Sequence, residues 1–275
     1  LKAGFDAGNS KADMTLKYVG GTGAQNVIVY TNGGTLEVNA PLDTVNHYGV
    51  AVSVKITAVA DKSYHENGVV AQMEIAKGHI VIENGAVCST VKLSDAAETG
   101  SVKVTVNNNN NVYVIGSSDK LSAESSATIT KVESVDSKVL NETTGVSYKS
   151  LVEAYNASNS GNTLVLLDNQ ESERINLEDK DIKIKLNGKT LTGTSAYGVL
   201  LCPKNGHTVA VDGTVEGSTV YGTIMCTEKT VGNIVIDGGV YKADKYIPFY
   251  INGAASDTCR ITNGKLTCIG CGSIN

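Results

Sequence analysis

One phrase occurs four times in the second half of the chain. It reads Leu186-Asn187-Gly188, Val211-Asp212-Gly213, Ile236-Asp237-Gly238 and Thr262-Asn263-Gly264, so that its glycines return at nearly constant intervals. Each phrase follows a short run of alternating apolar residues and precedes another apolar run. A turn signal that returns at a fixed interval of about 25 residues, with strand-forming residues between, describes coils that stack and bury one another's apolar faces. Asn or Asp followed by Gly suits the corner of such a coil, because these residues tolerate left-handed backbone. Asn-Gly pairs are also hairpin signals, so an antiparallel sandwich is the main alternative fold. The fixed interval favours parallel stacking, in which equivalent positions recur once per coil.

The first half carries the pattern more loosely. Apolar runs start at Asn26, Ser53, His79, Ser101 and Ala127, which suggests a similar interval with more variation. Secondary runs lie between them, such as Thr35-Leu36-Glu37-Val38 and Val112-Tyr113-Val114-Ile115. With 29 glycines, three prolines and no tryptophan, the composition favours strands and tight turns over helices. The expected fold is therefore all-β: a right-handed parallel β-helix (solenoid) with coils of about 25 residues. The run Asn107 to Asn111 reads as an extended turn, since Asn bonds readily to its own backbone.

One segment breaks the β pattern. Ser147-Tyr148-Lys149-Ser150-Leu151-Val152-Glu153-Ala154-Tyr155-Asn156 places Leu151, Ala154 and Tyr155 at helical spacing behind a serine suited to capping. A short helix near 147–157 is expected, ended by the Ser158–Gly161 cluster. Such a helix could cover the open end of a β-helix, which otherwise exposes unpaired backbone groups and an apolar interior. On this reading residues 1–140 are the C-terminal coils of a first β-helix, and residues 141–275 are a second with its own N-terminal capping helix. A single continuous solenoid with the helix as an inserted loop is the rival.

After that helix come Gly161-Asn162-Thr163 and Leu186-Asn187-Gly188-Lys189-Thr190-Leu191. This order resembles the right-handed parallel β-helix modules of gut-type bacterial surface proteins. In those modules a short amphipathic helix precedes a Gly-(Asp/Asn)-Thr-apolar strand, and an apolar-Asn-Gly-Lys-Thr-apolar coil follows. The resemblance covers about residues 147–270 and implies a surface or extracellular, adhesin-type protein. It implies no catalytic residue and no cofactor.

Charge and composition exclude some partners. A net charge of −5 with only Arg174 and Arg260 as arginines argues against nucleic acid, which calls for a basic face. No apolar run reaches the roughly 18 residues of a membrane helix. The chain opens on Leu1 and shows no leader, and is read as a fragment of a longer precursor.

Candidate chemistry is sparse. Tyr197, Tyr221 and Tyr246 recur at almost the same interval as the phrase and could line one face as an aromatic row for a glycan. The same row could equally be a ladder that stabilises the coils. Asp212 and Asp237 should stack on adjacent coils, flanked by Asn187 and Asn263. They could hold a cation or, more simply, bond to corner amides as Asn also does. Cys202 and Cys226 end matching runs one interval apart and should stack as thiols. Parallel Cβ vectors keep them about 4.8 Å apart, beyond the roughly 3.8 Å of a disulfide. Cys259, Cys268 and Cys271 offer three sulfurs, compatible with a terminal disulfide or with thiols, and short of a zinc pattern. His47, His65, His79 and His207 show no metal-ligand spacing. Glu171, Glu173, Glu178, Asp179 and Asp181 read as a solvated acidic turn.

No catalytic, metal or cofactor residue is therefore assigned. The expected function is non-catalytic adhesion or glycan contact at the cell surface, with glycans or host surface proteins as partners. A carbohydrate-active enzyme and a structural spacer are the alternatives.

Overall fold

The computed structural model describes residues 2–4, 13–17, 26–39, 41–108, 110–123, 126, 128–133, 136–177, 179–194, 199–201, 206–227, 232–243, 247–252 and 258–268. The chain is all-β, built from mostly parallel sheets stacked as a β-solenoid, with one short α-helix among the described residues. It divides into two compact units, Leu1–Val135 and Asp136–Asn275.

The first unit stacks coils of two strand segments. One row runs through Lys2–Gly4, Asn26–Asn32, the start of Thr44–Ala58, Tyr64–Glu66, Gly78–Ile82 and Val102–Val106. The other runs through Met14–Lys17, Thr35–Asn39, the end of Thr44–Ala58, Val69–Ile75, Thr90–Leu93, Val112–Ile115 and Ile129–Val132. All these pairings are parallel. Alternation places Val27, Val29, Leu36, Val38, Val45, Val54, Ile56, Met73, Ile75, Ile80 and Val91 inside. Each such side chain, fully buried, favours the folded state by about 1.5–3 kcal/mol relative to exposure.

The period expected for this half is corrected. Asn26 is in register with Thr44, Val45 with Tyr64 and Tyr64 with Ile80, so these coils are markedly shorter than those of the second half. Ser53 pairs with Thr35 and Gln72, on the opposite row from Asn26. The apolar runs that start at Asn26 and Ser53 are thus about one and a half coils apart. With one corner fewer than a three-segment coil, a two-segment coil can close in fewer residues. Later coils lengthen: Gly78 is in register with Val102. Of the asparagine run, Asn107, Asn108, Asn110 and Asn111 are described, and they lie at the corner that follows Val102–Val106. There Asn108 is buried and donates through Nδ2 to Ala86 O at 3.2 Å, while its Oδ1 accepts from Asn110 N at 3.1 Å.

Close coil contact also dictates two glycines. In the long strand Thr44–Ala58, Gly49 has φ +93°, and a Cβ there would lie 2.1 Å from Thr31 O. A Cβ at Gly68, one coil further, would lie 2.4 Å from Gly49 O. Only a residue without a side chain fits at these two positions.

The second unit stacks coils of three segments, giving three parallel sheets of described strands. These are Asn162–Leu166 with Ile182–Lys185, Thr208–Gly213, Asn233–Gly238 and Thr258–Thr262; Gln170–Ser172 with Thr190–Gly193, Thr219–Tyr221, Val240–Ala243 and Lys265–Cys268; and Ile175–Asn176 with Leu200–Leu201, Ile224–Thr227 and Phe249–Asn252. Here the interval of the Asn/Asp-Gly phrase is the coil length for several steps: Val209 is in register with Ile234, and Ile234 with Cys259. The interior is a column of apolar residues that includes Leu164, Ile184, Val211, Ile236, Leu191, Val220, Leu200 and Ile224.

The entrance to this unit is antiparallel. Strand Val139–Asn141 pairs antiparallel with Val146–Tyr148 on one side and with Asn162–Leu166 on the other. The helix Leu151–Ala157 packs on these strands and buries Leu151, Ala154 and Tyr155. Ser150 caps it, its side chain accepting from Glu153 N at 3.2 Å, and Glu153 Oε2 accepts from Lys149 N at 3.1 Å. The reciprocal bonds satisfy donors that a helix start leaves unpaired. Lys180 Nζ reaches back to donate to Tyr155 O at 3.0 Å and lies 4.8 Å from the Tyr155 ring centre.

Candidate functional site

The anticipated tyrosine row is described at one position only. Tyr197 and Tyr246 lie outside the described residues. Tyr221 ends the strand Thr219–Tyr221, half-buried, with Thr192 and Lys242 as its in-register neighbours on the adjacent coils.

Aromatic stacking on the outer surface occurs in the first unit instead. Tyr30 and Tyr48 are in register on adjacent coils, with ring centres 5.4 Å apart and planes 23° apart. That separation exceeds the roughly 3.5–4 Å thickness of stacked rings, so the two overlap only partly and leave ring face open to solvent. Tyr30 is 51% exposed, and Val50 and Val52, further along the Tyr48 strand, are 47% and 52% exposed.

The ladder continues past the strand ends. Asn67 N donates to His47 O, Glu83 N to Glu66 O and Asn107 N to Ile82 O, each at 2.9 Å. These bonds line up Tyr30, Tyr48, Asn67, Glu83 and Asn107 on five successive coils. The polar members are tied together. His65 Nδ1 is 2.7 Å from Glu83 Oε1, Asn107 Nδ2 donates to Glu83 Oε2 at 2.8 Å, and Asn67 Nδ2 donates to His65 O at 3.2 Å. Burial would raise the Glu83 pKa, but the bonds from His65 and Asn107 outweigh it and hold the carboxyl below its ordinary value.

Directly beneath the tyrosines lies a buried polar chain. His47 and Glu66 have no exposed side-chain surface, and His47 Nδ1 is 2.8 Å from both Oε1 and Oε2. Glu66 also accepts from Tyr64 OH and from Gly68 N, each at 2.8 Å. Both carboxyl oxygens of Glu66 thus have hydrogen-bond partners. Thr31 Oγ1 is 2.7 Å from His47 Nε2 and donates to Val50 O at 2.8 Å. Burial, followed by the nearby Glu66, pushes the Tyr64 phenol well above its ordinary pKa.

A second chain joins Thr105, His79 and Asp61. His79 Nε2 is 2.8 Å from Thr105 Oγ1, and its Nδ1 is 2.8 Å from Asp61 Oδ1. Burial lowers the His79 pKa, partly opposed by Asp61, so the imidazole is held neutral. Both chains have the hydroxyl–imidazole–carboxylate connectivity of nucleophilic catalysis. Their imidazoles are closed off, however: the His47 side chain is 0% exposed and that of His79 is 3% exposed. A general base must reach the substrate to pass its proton on, so these chains serve the fold. His207 follows the same habit, 3.5 Å from Asp181. Sequence spacing suited to metals overlooked these pairs, because each histidine meets a single carboxylate on a neighbouring coil.

The Asp212–Asp237 stack exists, with Gly213 on Gly238 behind it. Its flanks are corrected: Lys185 pairs with Asp212, and Thr262 with Asp237. Asn187 and Asn263 lie just beyond those positions in left-handed backbone, with φ 54° and 56°. Asp212 Oδ1 accepts from Thr214 N and Thr214 Oγ1, and its Oδ2 meets Lys183 Nζ at 2.8 Å. Burial would raise the Asp212 pKa, but Lys183 and Thr214 bring it below its ordinary value. Asp237 Oδ1 accepts from Thr262 Oγ1 and Asn263 Nδ2. This is corner bonding, and among the described residues no group of three or more His, Cys, Asp or Glu is placed to hold a metal ion.

In the acidic stretch, Glu178 lies outside the described residues. Asp181 bonds across the coils, accepting from Thr208 N at 2.7 Å and from Ser160 Oγ at 3.1 Å. Cys88 is a buried thiol whose Sγ donates to Thr90 O at 3.7 Å. Cys202 and Cys271 lie outside the described residues. Cys226, Cys259 and Cys268 stand in strands opposite Ile251, Ile234 and Ala243. Among the described residues no helix is long and apolar enough to cross a membrane.

No protein-family model, no curated protein and no solved structure matches this chain.

Proposed function

We propose that the chain is a non-catalytic, extracellular or surface-displayed β-solenoid protein that acts in adhesion, making contact through the outer face of its first unit. The observation that carries this reading is the exposed Tyr30–Tyr48 stack, with Val50 and Val52 exposed on the same strand. Exposed aromatic and aliphatic groups held on a fixed surface are what a contact face uses. The fold supplies the rest: a surface cross-linked at every coil by backbone ladders presents its side chains in fixed geometry, which lowers the entropy lost on binding.

The test is a binding screen of the intact chain against glycan arrays and host cell-surface proteins, alongside the double variant Tyr30→Ala/Tyr48→Ala. Binding by the wild-type chain that is lost in the double variant supports the reading. Binding that survives the double substitution places the contact elsewhere, and a chain that binds nothing is a spacer.

A further inference from the structure

Resting on that reading, we propose that the strip Tyr30, Tyr48, Asn67, Glu83 and Asn107 binds a neutral glycan chain laid along the stacking direction of the coils. The five residues occupy successive coils at the same height of the ladder. At about 4.8 Å per coil the strip is roughly 19 Å long. Only an elongated ligand with a short repeat can use all of it.

The order of side chains identifies the chemistry. A pyranose ring has an apolar C–H face and a rim of hydroxyls. Partly overlapped tyrosine rings offer an apolar face to the first, and their phenol groups reach water at the edge. Planar amides and carboxylates answer the second, because each can pair with two neighbouring hydroxyls. Here these groups are held in place before a ligand arrives. Glu83 is fixed between His65 and Asn107, at 2.7 and 2.8 Å, and Asn67 is anchored on His65 O at 3.2 Å. Both asparagines bond through the amide nitrogen, and among the described residues their Oδ1 acceptors and the remaining Glu83 lone pairs are left for a ligand's hydroxyls. Such preorganisation is characteristic of polar groups that confer specificity in a binding site.

Charge narrows the class further. No Lys or Arg belongs to the strip, and Glu83 is ionised at neutral pH. A chain of uronates would bring carboxylates against Glu83 with no cation in the strip to receive them, and like charges brought together at an interface oppose binding. The strip therefore selects neutral sugars over acidic ones.

The experiment uses the intact chain and immobilised neutral hexose oligosaccharides of increasing length, beside uronate oligosaccharides of the same lengths. Affinity for the neutral series should climb until the oligosaccharide spans roughly 19 Å and then level off. Tyr30→Ala and Tyr48→Ala should each weaken it about tenfold, with circular dichroism showing that both variants keep the fold. Glu83→Gln, which removes the negative charge from the strip, should narrow or abolish the preference for the neutral series over the uronates. Equal binding of uronates by the wild-type chain, or no binding of any neutral oligosaccharide, overturns the proposal. If the tyrosine variants instead lose a protein partner while no sugar is bound, the contact face stands and the ligand class is wrong. If sugar binding persists in both tyrosine variants, the face itself is wrong.

Discussion

His47 and Glu66 stand in register on adjacent coils, bonded at 2.8 Å, with neither side chain reaching water. Polar groups in that position are tolerated because the atoms around them are engaged by Tyr64, Gly68 and Thr31. Removing one partner leaves the other buried and uncompensated. Glu66→Ala should therefore destabilise the first unit by about 3–5 kcal/mol, and Tyr64→Phe by about 1–3 kcal/mol. Combining His47→Leu with Glu66→Leu should cost clearly less than the sum of the two single changes. Urea unfolding of these variants measures this; strict additivity would mean the pair is not coupled.

Acid should weaken the first unit in two stages. His79 has its pKa lowered by burial from the ordinary 6.5, so below about that pH the unfolded chain binds a proton that the folded chain resists. Stability then falls as pH drops, until the folded pKa is passed. Glu83 has its pKa lowered from 4.5, so its contribution is present above that value and is lost as pH falls further. Melting temperature followed downward from neutral pH through both ordinary values should show both stages. His79→Gln should remove the first and keep the second; an unchanged profile in that variant would assign the first stage to another group.

Two glycine substitutions separate close coil contact from simple turn geometry. Gly49→Ala places a methyl group 2.1 Å from Thr31 O at φ +93°, and should destabilise by about 2–5 kcal/mol through overpacking and backbone strain. Gly85 has open space within 4 Å of a Cβ and no positive φ, so Gly85→Ala should be neutral or stabilising by up to about 1 kcal/mol. Denaturation midpoints decide it, and a tolerated Gly49→Ala would show that the coils can separate locally.

At the corner of the second unit, Asp212 acts through hydrogen bonds from Thr214 N and Oγ1. Asp212→Asn keeps an acceptor and should change stability by less than about 1 kcal/mol, while Asp212→Ala should lose about 1–2 kcal/mol. If the asparagine variant were as damaging as alanine, the Lys183 ion pair would outweigh the corner bonds.

The two units were not equally legible. In the second, the Asn/Asp-Gly phrase advertises a corner, and Asp212 does stack on Asp237. Its first and last copies slip relative to the ladder because Asn187 and Asn263 take up left-handed backbone where the two aspartates do not. In the first unit, hydrophobic runs repeat on both rows, and a reading by apolar spacing alone cannot tell one coil from one and a half. The true spacing was present in the polar residues. Tyr30 with Tyr48, His47 with Glu66, Asp61 with His79 and His65 with Glu83 all recur at nearly the same short interval. Partners that meet across coils have to recur at the coil length, whereas apolar residues need only face inward. The tyrosine face was missed for the same reason, since its two rings are separated by a coil length shorter than the one assumed.

The difference between the two kinds of coil bears on how each half can change by duplication. Deleting the coil that carries Asp212 would set Lys185 against Asp237, so a basic–acidic pair and an apolar column survive the cut. Deleting the coil that carries Glu66 would set His47 against Ile82 and strand an imidazole in hydrocarbon. Coils like the first can be copied or dropped with little penalty. A coil that holds one half of a buried polar pair is locked to its neighbour, and the two can be inherited only together.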